Sequence, residues 1–432
     1  MAPSSGSPRS PSNSHKAQPY RMHVSQRYLE LTKQKLGLTR LPREPQGYHA
    51  RSSEFGVSKS ELEPLVDHWL EQYDWRLQER HYNDTLPQFR AVVNGTRMHF
   101  MHRRSMAPNA IPLLFVHGFP ESFMTIAPMI EALCDPIMTP PRGAESLLAF
   151  HVVAPSISGF GFSDAVPEEG NAMPTTAAMF DSLMKSLGYQ RYIMHGSGWT
   201  SFGYTQGDLY QPGSSVQTPG PSPPMTPGGH MGVIGSYGSP QTLAYALCDS
   251  PVGLLAYMLD LIQPPTFGAT SRNLGLAPST AGSSPAMSRS PTSPHSIGTP
   301  AYNPSPEPPQ SLELPGLSTV WTPTAIITWT MLYWLPGPEV ALRWLANSTL
   351  VLPSLWLRHS NVPVGITHFR DSSVPSAGTG QTPPQWVEAY HRVAMLTRRE
   401  GRVRFPAWER PAEVVMDIRE LAGIVGAVTG TT

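Results

Sequence analysis

Apolar residues recur along this chain with two different periods, and the changes between them mark its elements. From Ser25 to Leu36 a short helical period runs up to the breaker Leu41-Pro-Arg-Glu-Pro45. Glu61 to Arg80 repeats that period as an amphipathic helix rich in Trp and Tyr. Between Arg90 and His102 the pattern alternates about Asn94-Gly95, a dipeptide suited to the positive φ angles of a two-residue hairpin turn.

The next stretch alternates strand and helix. Ile111–His117 is a continuous apolar run of strand length, and Ser122–Cys134 carries a helical stripe through Phe123, Ile126, Met129, Ile130 and Leu133. Phe150–Ala154 predicts a second buried strand. Thr175–Leu187 places Met179, Phe180, Leu183, Met184 and Leu187 on one helix face, with Gly188 as its left-handed cap. Tyr192–Met194 is the third strand. This order with short links predicts an α/β fold with a mostly parallel central sheet covered by helices on both faces. Further on, Gln241–Ile262 and Pro323–Leu345 read as apolar helical segments, Val364–Phe369 as a strand, and Gln385–Val393 with Ala412–Val425 as an α/β tail.

Composition separates two segments from this ordered sequence. Residues 211–230 and 271–310 are dominated by Pro, Ser, Thr and Gly and cannot bury enough apolar surface to offset the entropy of ordering. Their Ser-Pro and Thr-Pro pairs are candidate phosphorylation sites. The 432 residues hold 31 Lys plus Arg against 31 Asp plus Glu, so no overall field favours nucleic acid. Two cysteines, Cys134 and Cys248, exclude a disulfide framework and suit a reducing compartment. With no apolar run of spanning length and no signal-like start, the expectation is a cytoplasmic protein without a membrane span. No His, Cys, Asp and Glu cluster has metal-ligand spacing, and no cofactor is implied.

Chemistry concentrates at Tyr192-Ile-Met-His-Gly-Ser-Gly-Trp-Thr-Ser201. A strand-to-helix nucleophile elbow needs small residues two before and two after its reactive side chain, because the strained turn leaves no room for bulk. Gly196 and Thr200 fit those flanks, which puts the reactive position at Gly198. Glycine has no side chain with which to attack. Ser197 is flanked at the same spacing by His195 and Trp199, both too large.

Several motifs resemble the epoxide hydrolases of the microsomal type, across roughly residues 20–425 apart from the two low-complexity segments. Leu65-Val-Asp-His-Trp-Leu-Glu-Gln-Tyr-Asp-Trp-Arg76 with Leu86-Pro-Gln-Phe89 is similar to that family's N-terminal meander. His117-Gly-Phe-Pro-Glu-Ser-Phe123 resembles its HGxP-type loop, and Ala154-Pro-Ser-Ile-Ser-Gly-Phe-Gly-Phe-Ser163 the loop after the next strand. The segments beginning at Pro240 and Trp329 look like its lid helices. The resemblance implies an α/β-hydrolase fold: a disordered start over 1–19, the meander over 20–106, a core over 107–205 and 350–432, and a lid over 206–349 that holds the insertions.

It also implies a reaction, the addition of water to an epoxide through an aspartyl ester that a histidine-activated water then hydrolyses. Mapped residue by residue, the nucleophile falls on Gly198. The histidine falls on Arg404, ahead of Phe405-Pro-Ala-Trp-Glu-Arg-Pro411, and an arginine keeps its proton. Asp371 is the nearest candidate for the orienting acid. The lid tyrosines map near Leu345 and Gly232, with Tyr237 close to the second. Backbone N–H groups at Phe119 and Trp199 would hold an oxyanion. His117, Tyr237, Tyr333 and Trp334 are the candidate pocket residues. The expectation is a family scaffold that has lost the covalent mechanism and keeps a pocket for an apolar small molecule. Its alternatives are a hydrolase with a non-standard site, and a protein that captures a partner through its Ser/Thr-Pro insertions.

Overall fold

A computed structural model describes residues 17–44, 56–136, 148–166, 172–197, 239–263, 317–356, 358–370, 388, 390–401 and 403–429. The chain enters through β1 (Gln18–Tyr20) and α1 (Gln26–Gly37). The single amphipathic helix expected over 61–80 is two helices, α2 (Lys59–Glu71) and α3 (Trp75–Thr85). The break has a local cause, because Asp74 is in an extended conformation and its carboxylate caps the new helix by accepting from Arg76 N at 2.8 Å. The hairpin follows as β2 (Gln88–Val93) and β3 (Thr96–Arg103), with Asn94 at φ 48° and Gly95 at φ 82° in the turn.

β4 (Ile111–Val116) leads into a 3-10 turn (Phe123–Ile126) and a short α4 (Ile130–Cys134), in place of one continuous helix. β5 (Phe150–Pro155), α5 (Met173–Ser186) and β6 (Ile193–Gly196) complete the alternation. The sheet order is β1-β2-β3-β5-β4-β6. β5, β4 and β6 are parallel, while β1, β2 and β3 form an antiparallel edge joined to β5. Leu113, Phe115, Phe150, Val152 and Val153 are almost fully buried, which is why these strands are continuous apolar runs rather than alternating ones.

The two later helical segments each divide. The first becomes α6 (Pro240–Asp249) and α7 (Pro251–Ile262), bent by 119° at Ser250, whose hydroxyl accepts from Gly253 N. The second becomes α8 (Pro323–Trp334) and α9 (Glu339–Trp356), separated at Gly337, where φ is 90°, and Pro338. β7 (Ser360–Arg370) pairs in parallel with β8 (His391–Glu400). β8 lies where the pattern predicts only an unresolved α/β tail. α10 (Pro406–Glu409) and α11 (Pro411–Thr429) close the chain, and Asp417 of α11 accepts from Thr367 of β7 at 2.8 Å and pairs with Arg399 of β8. The insertions expected at 211–230 and 271–310 lie outside the described residues. No single described helix is long and apolar enough to cross a membrane.

Two contacts fix the helical layer on the sheet. Tyr333 of α8 donates to the Glu121 carbonyl at 2.7 Å, and Trp344 of α9 donates to Thr176 of α5 at 3.0 Å. The loop after β5 passes so close beneath α9 that a Cβ on Gly159 would lie 2.0 Å from Val340 Cγ1. That position also has φ 80°, so only glycine fits there without strain.

Candidate active site

The site gathers at the C-terminal ends of β4 and β6, where an open parallel sheet forms its crevice. His117 directly follows β4 and is buried. Its Nδ1 donates to Gly118 O at 2.9 Å and its Nε2 accepts from Ile157 N at 3.1 Å. Burial lowers its pKa to about 4, so the ring is neutral and both nitrogens are committed to backbone. His117 therefore braces the loops after β4 and β5 against each other.

Phe119 is half-buried in an aromatic group with Phe160, Tyr257 and Tyr333, at centroid separations of 5.5 to 6.5 Å. Tyr333 belongs to this group, but its hydroxyl is bound to the Glu121 carbonyl. Trp334 is turned the other way. Its indole N–H donates to Thr32 Oγ1 of α1 at 2.8 Å, which ties it to the N-terminal helix.

Sequence reasoning passed over Glu121. Its carboxylate is 2% exposed, and Oε2 accepts from Gly118 N at 2.9 Å and from Ser197 Oγ at 2.6 Å. Oε1 is buried without a partner among the described residues. Burial raises the pKa of this group, and the bonds from Ser197 and Gly118 oppose that rise. The signal in the sequence was a lone acidic residue inside a glycine-and-proline loop beside a buried strand. The serine that meets it is 76 positions away, so the pair is tertiary and has no local pattern.

His195 of β6 stacks on Phe115 at 5.1 Å and keeps a buried Nε2 without a partner among the described residues. Burial takes its pKa down to about 4, against a smaller opposing effect of Asp417.

Arg404 is half-buried at the start of the last helical segment. Glu409 accepts from both Arg404 N (2.9 Å) and Phe405 N (2.7 Å), which fixes the turn. The guanidinium lies over the Phe405 ring at 5.7 Å, and its Nε is buried without a partner among the described residues. Burial lowers its pKa to about 10, with Asp260 and Glu409 opposing, so it is protonated at neutral pH. α10 packs on the 3-10 turn that follows the Glu121 loop, bringing this segment to the same end of the sheet.

Gly198, Trp199, Tyr237 and Asp371 lie outside the described residues. Leu345, where one lid tyrosine maps, is a buried residue of α9. Among the described residues no group of three His, Cys, Asp or Glu could hold a metal ion. A cavity of about 180 Å³ opens away from these residues, between α1 and the end of α8, lined by Val24, Tyr28, Phe162 and Leu335 among others.

Comparison with known proteins accords with this geometry. Residues 17–126 match the family model for the epoxide hydrolase N terminus. The chain is 33% identical over 269 residues to a putative epoxide hydrolase of Stigmatella aurantiaca, an alignment covering 57% of this chain and 60% of that protein. It is 26% identical to epoxide hydrolase 1 of Sus scrofa, covering 94% of this chain and 88% of the relative. Two solved structures share the fold at 20% identity. Aspergillus niger epoxide hydrolase aligns with a TM-score of 0.68 over 95% of this chain and 97% of its own. The juvenile hormone epoxide hydrolase of Bombyx mori aligns with 0.70 over 96% of each. The chain has the α/β-hydrolase fold of these epoxide hydrolases, and its residues 17–126 match the N-terminal region of the epoxide hydrolase family.

Proposed function

We propose that this protein is a pseudoenzyme of the family, a cytoplasmic scaffold that binds an apolar epoxide or related small molecule without the covalent aspartyl mechanism. The observation that carries the reading is Arg404. The motif maps the family's histidine onto Arg404, whose half-buried guanidinium is protonated at neutral pH and so cannot take a proton from water. Glycine at 198 removes the attacking carboxylate as well. In this reading residues 20–106 form the meander, 107–205 and 350–432 the hydrolase core, and 206–349 the lid. The aromatic group around Phe119 and Tyr333 is apolar enough to form the wall of a ligand site. The test is thermal unfolding in the presence of aryl and alkyl epoxides and their diols. A rise in Tm with the ligand recovered unchanged supports the reading, and no shift with any of them counts against it.

One observation favours a second reading, a hydrolase with a non-standard site. The buried Glu121 Oε1 has no partner among the described residues, and the other oxygen of that carboxylate accepts from Ser197 at the end of β6. In this reading Oε1 takes a proton from water as the water oxygen attacks an epoxide carbon, and the proton then passes to the opened oxygen. Turnover that disappears in a folded Glu121→Gln variant would establish it.

A further inference from the structure

At the end of β6 a hydroxyl meets a buried acid. Ser197 directly follows the strand, is half-buried, and donates to Glu121 Oε2 at 2.6 Å. That is the separation of an attacking hydroxyl from the base that takes its proton. The large flanks His195 and Trp199 disqualify Ser197 as an elbow nucleophile, but here it is oriented by Glu121 and not by a strained turn.

The acid is itself held in place. Gly118 N donates to the same Oε2 at 2.9 Å, and the Tyr333 hydroxyl donates to the Glu121 backbone carbonyl at 2.7 Å. Nucleophile, base and the groups that fix the base thus form one chain of hydrogen bonds, from α8 through the loop after β4 to the end of β6. The carboxyl is buried, and its bonds among the described residues come from a hydroxyl and a backbone N–H, not from a cation. Burial raises its affinity for a proton, against those two bonds, which makes it a stronger base than an ordinary carboxylate. The rings of Phe119 and Tyr333 lie beside the loop, 5.5 Å apart. An apolar wall without a paired cation suits an uncharged molecule.

We propose that Ser197 is a nucleophile and Glu121 its base in the hydrolysis of small, uncharged carboxylic esters. Ser197 Oγ bonds to the ester carbonyl carbon as its proton passes to Glu121 Oε2, and the carbonyl pair moves onto its oxygen. That pair returns, the bond to the leaving oxygen breaks, and the leaving oxygen takes the proton from Glu121. Water then attacks the acyl-serine with Glu121 again as base, which releases the carboxylic acid and restores the hydroxyl. Neither Gly198 nor Arg404 takes part, so this inference does not rest on the ligand-binding reading.

The full-length protein is incubated with p-nitrophenyl acetate and, separately, with an alkyl fluorophosphonate that bonds to activated serine hydroxyls. Peptide mass spectrometry then locates the label. The expected result is release of p-nitrophenolate and an acetyl or phosphonyl group on Ser197, at a rate that rises with pH as Glu121 loses its proton. Folded Ser197→Ala and Glu121→Gln variants each lower p-nitrophenolate release by about a hundredfold or more. The label on the parent protein needs no variant, so it decides the matter even where a substitution prevents folding. No label on Ser197, a label spread over other serines, or a folded Ser197→Ala variant as fast as the parent would overturn the proposal. So would labelling of Ser197 that is undiminished in folded Glu121→Gln, since a purely structural hydrogen bond predicts that result. Epoxides play no part in this test, which keeps its failure separate from a failure of the ligand-binding reading.

Discussion

Glu121 and Ser197 are joined by a 2.6 Å hydrogen bond from the serine hydroxyl to the carboxylate. The same oxygen accepts from Gly118 N, so one buried acid holds the loop after β4 against the end of β6. Those two strand ends carry the site. Removing the serine hydroxyl deletes a bond to a buried carboxyl oxygen, which costs about 1 to 3 kcal/mol. Urea unfolding of Ser197→Ala, Glu121→Gln and the double variant is expected to give a coupling of about 1 to 2 kcal/mol between the two. Strict additivity would mean that the bond contributes nothing.

Gly159 tests how the helical layer is seated. Alanine there adds a carbon inside contact distance of Val340 and takes on a φ of 80°. The expected loss is about 2 to 4 kcal/mol, read as a fall in Tm. Adding Val340→Ala should recover the steric part and leave the backbone part. A Gly159→Ala variant as stable as the parent would contradict the close approach.

Buried histidines set an acid limit. Burial takes His99 down to about 3 and His117 to about 4, against about 6.5 in an unfolded chain. Below about pH 6.5 the unfolded chain therefore binds protons that the folded chain refuses. Stability is complete above that window and falls as pH drops toward 4. Each of these two histidines contributes about 1.4 kcal/mol per pH unit within it. Urea midpoints at pH 7 and pH 5 should differ in that direction, and equal midpoints would refute the assignment.

The periodic parts of the fold were legible in the sequence, and the breaks were less so. The hairpin about Asn94-Gly95 and the strands β4, β5 and β6 follow from runs and turns that are local. The helices end where a cap or a proline intervenes, at Asp74, Ser250 and Pro338, and periodicity continues across each of these points. β8 was hidden because it mixes apolar residues with His391, Arg392, Arg398, Arg399 and Glu400. At the site, Arg404 is a candidate by motif alone. Glu121 could not, since its partner is brought to it only by the parallel pairing of β4 and β6.

The proposed loss of nucleophile and base can be tested by supplying both. Gly198→Asp combined with Arg404→His supplies a carboxylate nucleophile and a base. The expected outcome is slow epoxide opening, or an aspartyl ester trapped at residue 198 and seen by mass spectrometry. A folded double variant with neither would show that pocket shape or the hydroxyl donors are lost too.

The most direct test is diol formation by the purified protein from a panel of aryl and alkyl epoxides, with heat-killed protein and a Trp199 variant as controls. The proposed function predicts no diol above those controls. Turnover above both, at neutral pH and with the chain unaltered, would contradict it and direct attention to Glu121.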